Sequence, residues 1–379
     1  MVHTVIGLIL FVYLFVRLIP PLLKRKVPAA VLTVLLAAGA FKFACVRLLG
    51  GKYFFCPELP GWILAVSCGL FVWVLLAALL TLVSEPFRLG VWLYRKKRRL
   101  PEMSRKQVCI INGVLLGAAG LLAAVSVLEG AAMPQVRKIE LAFAGLPAEA
   151  DSLKIAVLSD IHVQYLIRQK EVREIVRRTQ KTEPDVIVLL GDLADGLPEA
   201  RALDIAPLAE LHAPLGVWAV PGNHEYYYHY DEWRKMYTQT GLHLLENTSV
   251  TLQKPRIRLA GVTDRAALRF LQEGPDLDSA LADGTEKELF TVLLAHRPDL
   301  APQAAAKGVK LQLSGHTHGG MLPILKQLVA RFNGGFVEGL YQTGGMTLFV
   351  SRGTGIWNGF PVRLLTPPEI TVIQLRKLP

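Results

Sequence analysis

Four apolar stretches near the start of this 379-residue chain constrain its fold most: Val5–Leu23, Ala29–Leu49, Trp62–Val83 and Val108–Leu128. Each approaches the ~20 residues that a helix needs to cross a bilayer. Inside lipid, a spanning helix must satisfy every backbone N–H and C=O internally, so these runs are expected as helices. Arg17 and the Pro20-Pro21 pair interrupt the first, and Lys42 the second. Such charges snorkel to the interface or face a helix partner, so a buried or interfacial helix is the alternative for any one run. Small residues in Gly113–Ala124 suit close helix packing.

The charge distribution follows the same division. Residues 1–130 hold 15 Lys/Arg against only Glu58, Glu85, Glu102 and Glu129, which accounts for the whole formal charge of +11. The rest balances at 27 basic and 27 acidic side chains. Basicity that belongs to loops between apolar runs argues against nucleic acid as a partner. The densest positive loops are Lys24-Arg25-Lys26 and Arg95–Arg99 with Arg105-Lys106, whereas Gly50–Pro60 carries only Lys52. Loops rich in Lys and Arg stay in the cytoplasm. Four spans then place the N-terminus outside and residues 131–379 on the extracytoplasmic side of the cell membrane. Ser104-Arg105-Lys106 before a Gly/Ala-rich run is like an internal export signal, read as an uncleaved anchor because no cleavage site precedes Met133.

All four cysteines (Cys45, Cys56, Cys68, Cys109) lie in the apolar third, so no disulfide framework or CxxC zinc site belongs to the remainder. Cys45 and Cys56 can face each other near one membrane surface, although buried thiols are the simpler reading.

Beyond a membrane domain at 1–130, residues 131–153 are expected as a linker with a lead-in strand over Arg137–Phe143, and 154–379 as a second domain. Strands are predicted at Lys154–Ser159, Val186–Leu190, Val217–Val220, Arg256–Gly261, Phe290–Ala295 and Lys310–Leu313. Helices are predicted at Arg168–Lys181, Asp231–Thr240 and Asp299–Lys307. Late β runs follow at Thr347–Val350, Val362–Leu365 and Ile370–Leu375. This order implies transmembrane α-helices followed by an α/β domain of two packed mixed β-sheets flanked by helices.

Five polar clusters carry the chemistry, several of them directly after an apolar strand: Asp160-x-His162, Gly191-Asp192, Gly222-Asn223-His224-Glu225, His296 and Gly315-His316-x-His318. Carboxylate oxygen and imidazole nitrogen are ligands for divalent metals that polarise a phosphoryl oxygen. Asp192 is the choice for a carboxylate bridging two ions, and the Asn223 amide supplies a neutral oxygen. Asp195 reads as a loop-stabilising acceptor rather than a ligand. His212 and His243 are assigned no role.

In this order the clusters resemble the calcineurin-like metallophosphoesterases over about residues 137–377. The tail Glu338-Gly-Leu-Tyr341, Val350-Ser-Arg-Gly353, Pro361-Val-Arg363 and Pro368-Glu-Ile-Thr371 is similar to their bacterial membrane-associated or exported branch. Met321 departs from that branch's polar glutamine after Gly319-Gly320. The resemblance implies a four-layer αββα sandwich with two divalent ions (Mn, Fe, Zn or similar). One ion would be held by Asp160, His162, Asp192 and His318, the other by Asp192, Asn223, His296 and His316. A hydroxide bridging them would attack phosphorus, and His224 would protonate the leaving oxygen. Arg297, Arg352 and Tyr226 are candidate substrate contacts.

The expected function is therefore hydrolysis of a phosphomonoester or phosphodiester, with lipid-linked or envelope substrates favoured by the membrane tether. Residues Met321–Phe332 can form an amphipathic lip at the membrane surface. The alternatives are a UDP-diacylglucosamine-type pyrophosphatase, or a non-catalytic membrane sensor or scaffold with a phosphatase-like domain.

Overall fold

The computed structural model describes residues 2–50, 57–282 and 289–378. Two compact units are formed: Met1–Glu129 with Gly359–Leu364, and Gly130–Asn358 with Leu365–Pro379. The pairing of Cys45 with Cys56 involves a residue outside the described ones, and Cys45 is an exposed free thiol.

The first unit is helical: α1 (Val2–Leu18), α2 (Lys26–Ala40), α3 (Lys42–Leu49), α4 (Gly61–Lys97) and α5 (Arg105–Gly130). Here the expectation of four spans meets a smaller number. Among the described residues, only α4 and α5 are long and apolar enough to cross a membrane. The α2–α3 pair passes that test jointly but is bent by 71°, which makes three if it counts as one span. The α1 helix stops at Leu18 just before Pro20-Pro21, because proline cannot donate the next helical hydrogen bond. The α2–α3 break falls at Phe41, and the next residue, Lys42, has a buried ammonium that donates to Gly359 O at 2.6 Å and lies 4.4 Å from the Phe43 ring. Gly39 lets α2 and α4 approach, since a Cβ there would sit 2.6 Å from Leu70 O.

The second unit contains two six-stranded sheets. Its strands are β1 (Gln135–Phe143), β2 (Lys154–Leu158), β3 (Val186–Leu189), β4 (Val217–Ala219), β5 (His243–Leu244) and β6 (Thr248–Gln253). They continue as β7 (Arg256–Gly261), β8 (Thr291–Leu294), β9 (Leu311–Ser314), β10 (Gly339–Thr343), β11 (Met346–Val350) and β12 (Glu369–Lys377). The sheet orders are β1-β12-β2-β3-β4-β5 and β10-β11-β9-β8-β7-β6. Both are mixed: β2 to β5 run parallel with β12 antiparallel to β2, and β7, β8, β9 and β11 run parallel between antiparallel edges β6 and β10.

Alternation within the strands explains how the layers stack. Ile155, Val157, Val186, Val188 and Ile373 from the first sheet pack with Leu259, Val292, Leu294, Leu313 and Phe349 from the second in one buried cluster. The opposite residues of the second sheet, Leu293, Leu348 and Val350 among them, pack under α10 (Leu277–Ala282) and α11 (Ala301–Ala306). Strands buried on both faces read as continuous apolar runs, which is why β2, β3, β8 and β9 are legible in the sequence. The remaining helices are α6 (Gln169–Gln180), α7 (Pro198–Ile205), α8 (Asn223–Tyr227), α9 (Tyr230–Gln239) and α12 (Lys326–Phe332). The α6 helix buries Val172, Ile175, Val176 and Thr179, the 3–4 spacing of one helix face.

The strand predicted at Val362–Leu365 does not form. Residues Gly359–Leu364 group with the helical unit, and Arg363 N–H donates to Ser126 O at 2.8 Å. A short apolar run cannot distinguish a strand from a buried connector by periodicity alone.

Register positions the polar clusters. Leu158 pairs with Leu189, and Leu189 with Ala219, so the segments after β2, β3 and β4 leave the first sheet side by side. Leu294 pairs with Leu313, which does the same for the segments after β8 and β9.

Candidate metal centre

Past these strand ends the backbone turns sharply. Asp160, His162, Asp192, His316 and His318 all have positive φ, between 49° and 71°. That region is uncommon for residues with a side chain, and such conformations persist where the surrounding structure fixes them. Backbone bonds do so here: Asp160 N–H donates to Gly191 O and His162 N–H to Asp192 O, both at 3.0 Å, and Gly315 N–H to His296 O at 2.8 Å.

The turns bring the expected donors together. Three groups form within 4.8 Å: Asp160, His162 and His318; His162, Asp192 and His224; and Asp192, His296 and His316. Asn223 Oδ1 joins the third at 3.2 Å from His296 Nε2. Asp192 Oδ2 lies 3.3 Å from His296 Nε2, 3.8 Å from His162 Nε2 and 3.9 Å from His224 Nε2.

Outer contacts fix which ring nitrogens face inward. His296 Nδ1–H donates to Leu190 O at 2.6 Å, and His162 Nδ1–H donates to Asp195 Oδ1 at 3.1 Å. In the neutral rings, both Nε2 lone pairs then point into the cluster, and His162 Nε2 stands 3.1 Å from His318 Nε2. Buried nitrogen and carboxylate donors converging this closely suit a cation, and the Asp/His/Asn set fits Mn, Fe, Zn or a similar divalent ion.

Asp195 is an acceptor, as read, but its carboxylate braces two imidazole rings rather than its own loop. Besides His162 it accepts from His224 Nδ1–H at 2.6 Å. Burial pushes its carboxyl up, but the two histidines outweigh that and hold it at about 2. Asp195→Asn should weaken metal binding about 10–100-fold, as loss of a ligand's outer partner does, with the fold retained. Isothermal titration of the metal-stripped chain measures this.

The same balance acts on the other groups. Burial lowers His224, yet Asp195 and Asp192 raise it to about 9; burial lowers His296, yet Asp192 carries it to about 10. Asp192 is pushed up by burial but held well below the usual carboxylate range by His296 and His224. Asp160 is raised by burial. His316 is driven well below its ordinary value by burial and by the neighbouring Arg297 guanidinium.

Supporting residues complete the site, and of these Asp264 and Trp357 were not singled out in the sequence. Glu225 accepts from Gly222 N–H at 2.8 Å, Leu193 N–H at 2.7 Å and Asp192 N–H at 3.1 Å, tying two turns together. Asp264 holds Arg297 Nε at 2.8 Å, and it too follows a strand run, β7, by three residues. Trp357 packs edge-on to His224 with ring centroids 6.0 Å apart.

The candidate substrate contacts are placed unequally. Arg297 reaches Asn223 Oδ1 at 2.9 Å and His316 Nε2 at 2.6 Å. Arg352 is ion-paired with Glu338 at 2.8 Å and lies beside Gly319. Tyr226 is buried in a stack with Tyr230, ring centroids 4.2 Å apart, against Ala266 and Ala267. The tyrosine at the donor cluster is its neighbour Tyr227, whose hydroxyl accepts from Asn223 Nδ2 at 3.4 Å.

Residues 153–320 match the family model of the calcineurin-like phosphoesterases. A "Transmembrane protein with metallophosphoesterase domain" from Bos taurus is 33% identical over 312 residues, 78% of this chain and 69% of that one. Its namesake from Danio rerio is 32% identical over 352 residues, covering 88% and 79%. An uncharacterized metallophosphoesterase of Bacillus subtilis, YkuE, is 30% identical over 297 residues, covering 73% and 99%.

Proposed function

Because the chain belongs to the calcineurin-like phosphoesterases, and is thus a metal-dependent phosphoester hydrolase, we propose that it is a membrane-anchored, two-metal enzyme acting on a lipid-linked or envelope phosphoester. The observation that carries the two-metal part is the position of Asp192, whose carboxylate belongs to two donor groups at once. Asp160, His162, Asp192 and His318 would hold one ion, and Asp192, Asn223, His296 and His316 the other. When bound, such ions polarise the phosphoryl oxygens and activate water.

The chain's own groups supply the rest. The Asp195 and Asp192 carboxylates raise His224 above its ordinary value, and its Nδ1–H is committed to Asp195, so Nε2 is the ring atom left to carry a proton to the leaving oxygen as a general acid. Arg297, gripped by Asp264, presents a fixed guanidinium to a phosphoryl oxygen, and Tyr227 borders the same space. The complete donor set speaks against a non-catalytic sensor.

Two helices of spanning length and the names of the Bos taurus and Danio rerio relatives support a membrane anchor. The orientation rests on the single loop Arg95–Lys106. If that loop is cytoplasmic, α5 carries the second unit outward whatever the number of earlier spans. A reporter fused to the C-terminus tests this.

Support for a lipid substrate comes from two exposed apolar elements. On α12 and the turn before it, Ile324, Leu328 and Phe332 are exposed four residues apart, while Leu325 is half-buried. That helix packs on the turn containing His318. The turn Arg265–Phe270 packs on α8 and exposes Leu268, Phe270 and Leu271. Both therefore adjoin metal-site segments. In a phosphate-release screen of the metal-loaded protein, phosphorylated lipids in mixed micelles should outrun nucleotides. Leu328→Asp with Phe332→Asp should cost lipid hydrolysis about a hundredfold, since each of the two apolar side chains contributes about 1.5 kcal/mol on burial and each ~1.4 kcal/mol is tenfold in rate. Hydrolysis of a soluble aryl phosphate should be unchanged; equal losses on both would remove the support for interfacial recognition.

A further inference from the structure

The helical unit holds a second built site. Between the C-terminal half of α4 and the start of α5 lies a cavity of about 690 Å³, with Arg88, Arg95, Lys96 and Trp92 in its wall. Among the described residues, Glu102 is the one acid lining it. Arg88 is fixed in place: Nε donates to Ser84 Oγ at 3.0 Å and Nη2 to Asn112 Oδ1 at 2.8 Å, with Asn112 buried on α5. Arg95 Nε donates to Pro101 O at 2.7 Å, and the Lys96 ammonium lies 4.8 Å over the Trp92 ring.

A second cavity, of about 430 Å³, shares Val91, Arg95 and Leu100 as walls. Phe87, Gly90 and Tyr94 complete its lining, and a Cβ at Gly90 would meet nothing within 4 Å. One space is therefore cationic and the other mostly hydrocarbon, joined along one helix face.

We infer that these cavities bind one anionic glycerophospholipid, its phosphodiester against Arg88 and Arg95 and an acyl chain along Phe87 and Tyr94. Three cations against one carboxylate match an anionic headgroup. Guanidinium forks suit phosphate oxygens, and basic pockets between membrane helices are recognised headgroup sites. The apolar half selects against free phosphate. The site is independent of the metal centre and does not rest on the enzyme's substrate.

The test uses the full chain in neutral detergent, titrated with phosphatidylglycerol, phosphatidylcholine or inorganic phosphate, and followed by native mass spectrometry and thermal midpoint. The Asp192→Asn variant is used in parallel, so that binding at the metal centre is told apart. Phosphatidylglycerol should bind saturably at one molecule per chain and raise the midpoint, with the other two at least tenfold weaker. Arg88→Gln should weaken phosphatidylglycerol at least tenfold. Should that variant fold poorly, the more exposed Arg95→Gln, and Gly90→Leu, which fills the apolar half, should each do so by several-fold. Aryl phosphatase activity should stay unchanged in all three. Equal binding of phosphatidylcholine, equal stabilisation by inorganic phosphate, non-saturating uptake, or unaltered affinity in folded variants would each overturn the proposal.

Discussion

Asp192→Asn should lower kcat/KM on a soluble phosphoester about 10³-fold and strip metal from the protein. The carboxylate stands within 3.3–3.9 Å of ring nitrogens on His296, His162 and His224, and its Oδ1 accepts from His224 N–H at 2.8 Å. An amide offers one oxygen without charge, so it cannot serve two ions together. Metal stabilisation of the transition state is worth several kcal/mol, and each ~1.4 kcal/mol is tenfold in rate. Asparagine is the chosen replacement because Asp192 has φ 52°, a conformation asparagine tolerates and alanine does not. Circular dichroism should match the parent while elemental analysis shows metal lost. A variant retaining both metals and full activity would remove Asp192 from the site.

The second large effect is expected from one methyl group. A Cβ at Gly315 would collide with the Ser159 hydroxyl and the Asp160 carboxylate, closer than side chains ever approach. These two groups are hydrogen-bonded to each other and buried, so neither can swing into open space. Gly315→Ala should cost about 1–3 kcal/mol of stability by overpacking and weaken metal binding about 100-fold by displacing Asp160. Gly145 is the control: a Cβ there meets nothing, and Gly145→Ala should stay within about 0.5 kcal/mol. Thermal melts with and without added metal separate the packing cost from the loss of the ion.

What the sequence made legible follows from burial. Parallel strands covered on both faces announce themselves as β-branched runs, and the ligands directly follow those runs. Strands β5, with two residues, and β10, half-buried and beginning at Gly339, lack such a signature. Apolarity alone suggested a strand at Val362–Leu365, where Val362–Leu364 form a buried connector in the helical unit. Of the four expected spans, two helices among the described residues have spanning length, or three if the bent α2–α3 pair is one span. In the site, Asp195 was visible as an acceptor, but its hold on two histidines depends on turns 29 and 33 residues apart. Asp264 had a usable signal, an acid just beyond the β7 run. The exchange of Tyr226 for Tyr227 had none, because which of three adjacent tyrosines faces the cluster is set by how α8 packs on the Arg265–Phe270 turn.

The proposed chemistry is phosphoester hydrolysis with two divalent ions shared through Asp192. The most direct measurement is metal content together with phosphoester hydrolysis of the purified full chain, stripped and then reloaded with Mn, Fe or Zn. Two ions per chain are expected, with activity that returns with the second equivalent, and neither in Asp192→Asn. Hydrolysis that persists in the stripped protein, or a chain that takes up no divalent ion, would contradict it.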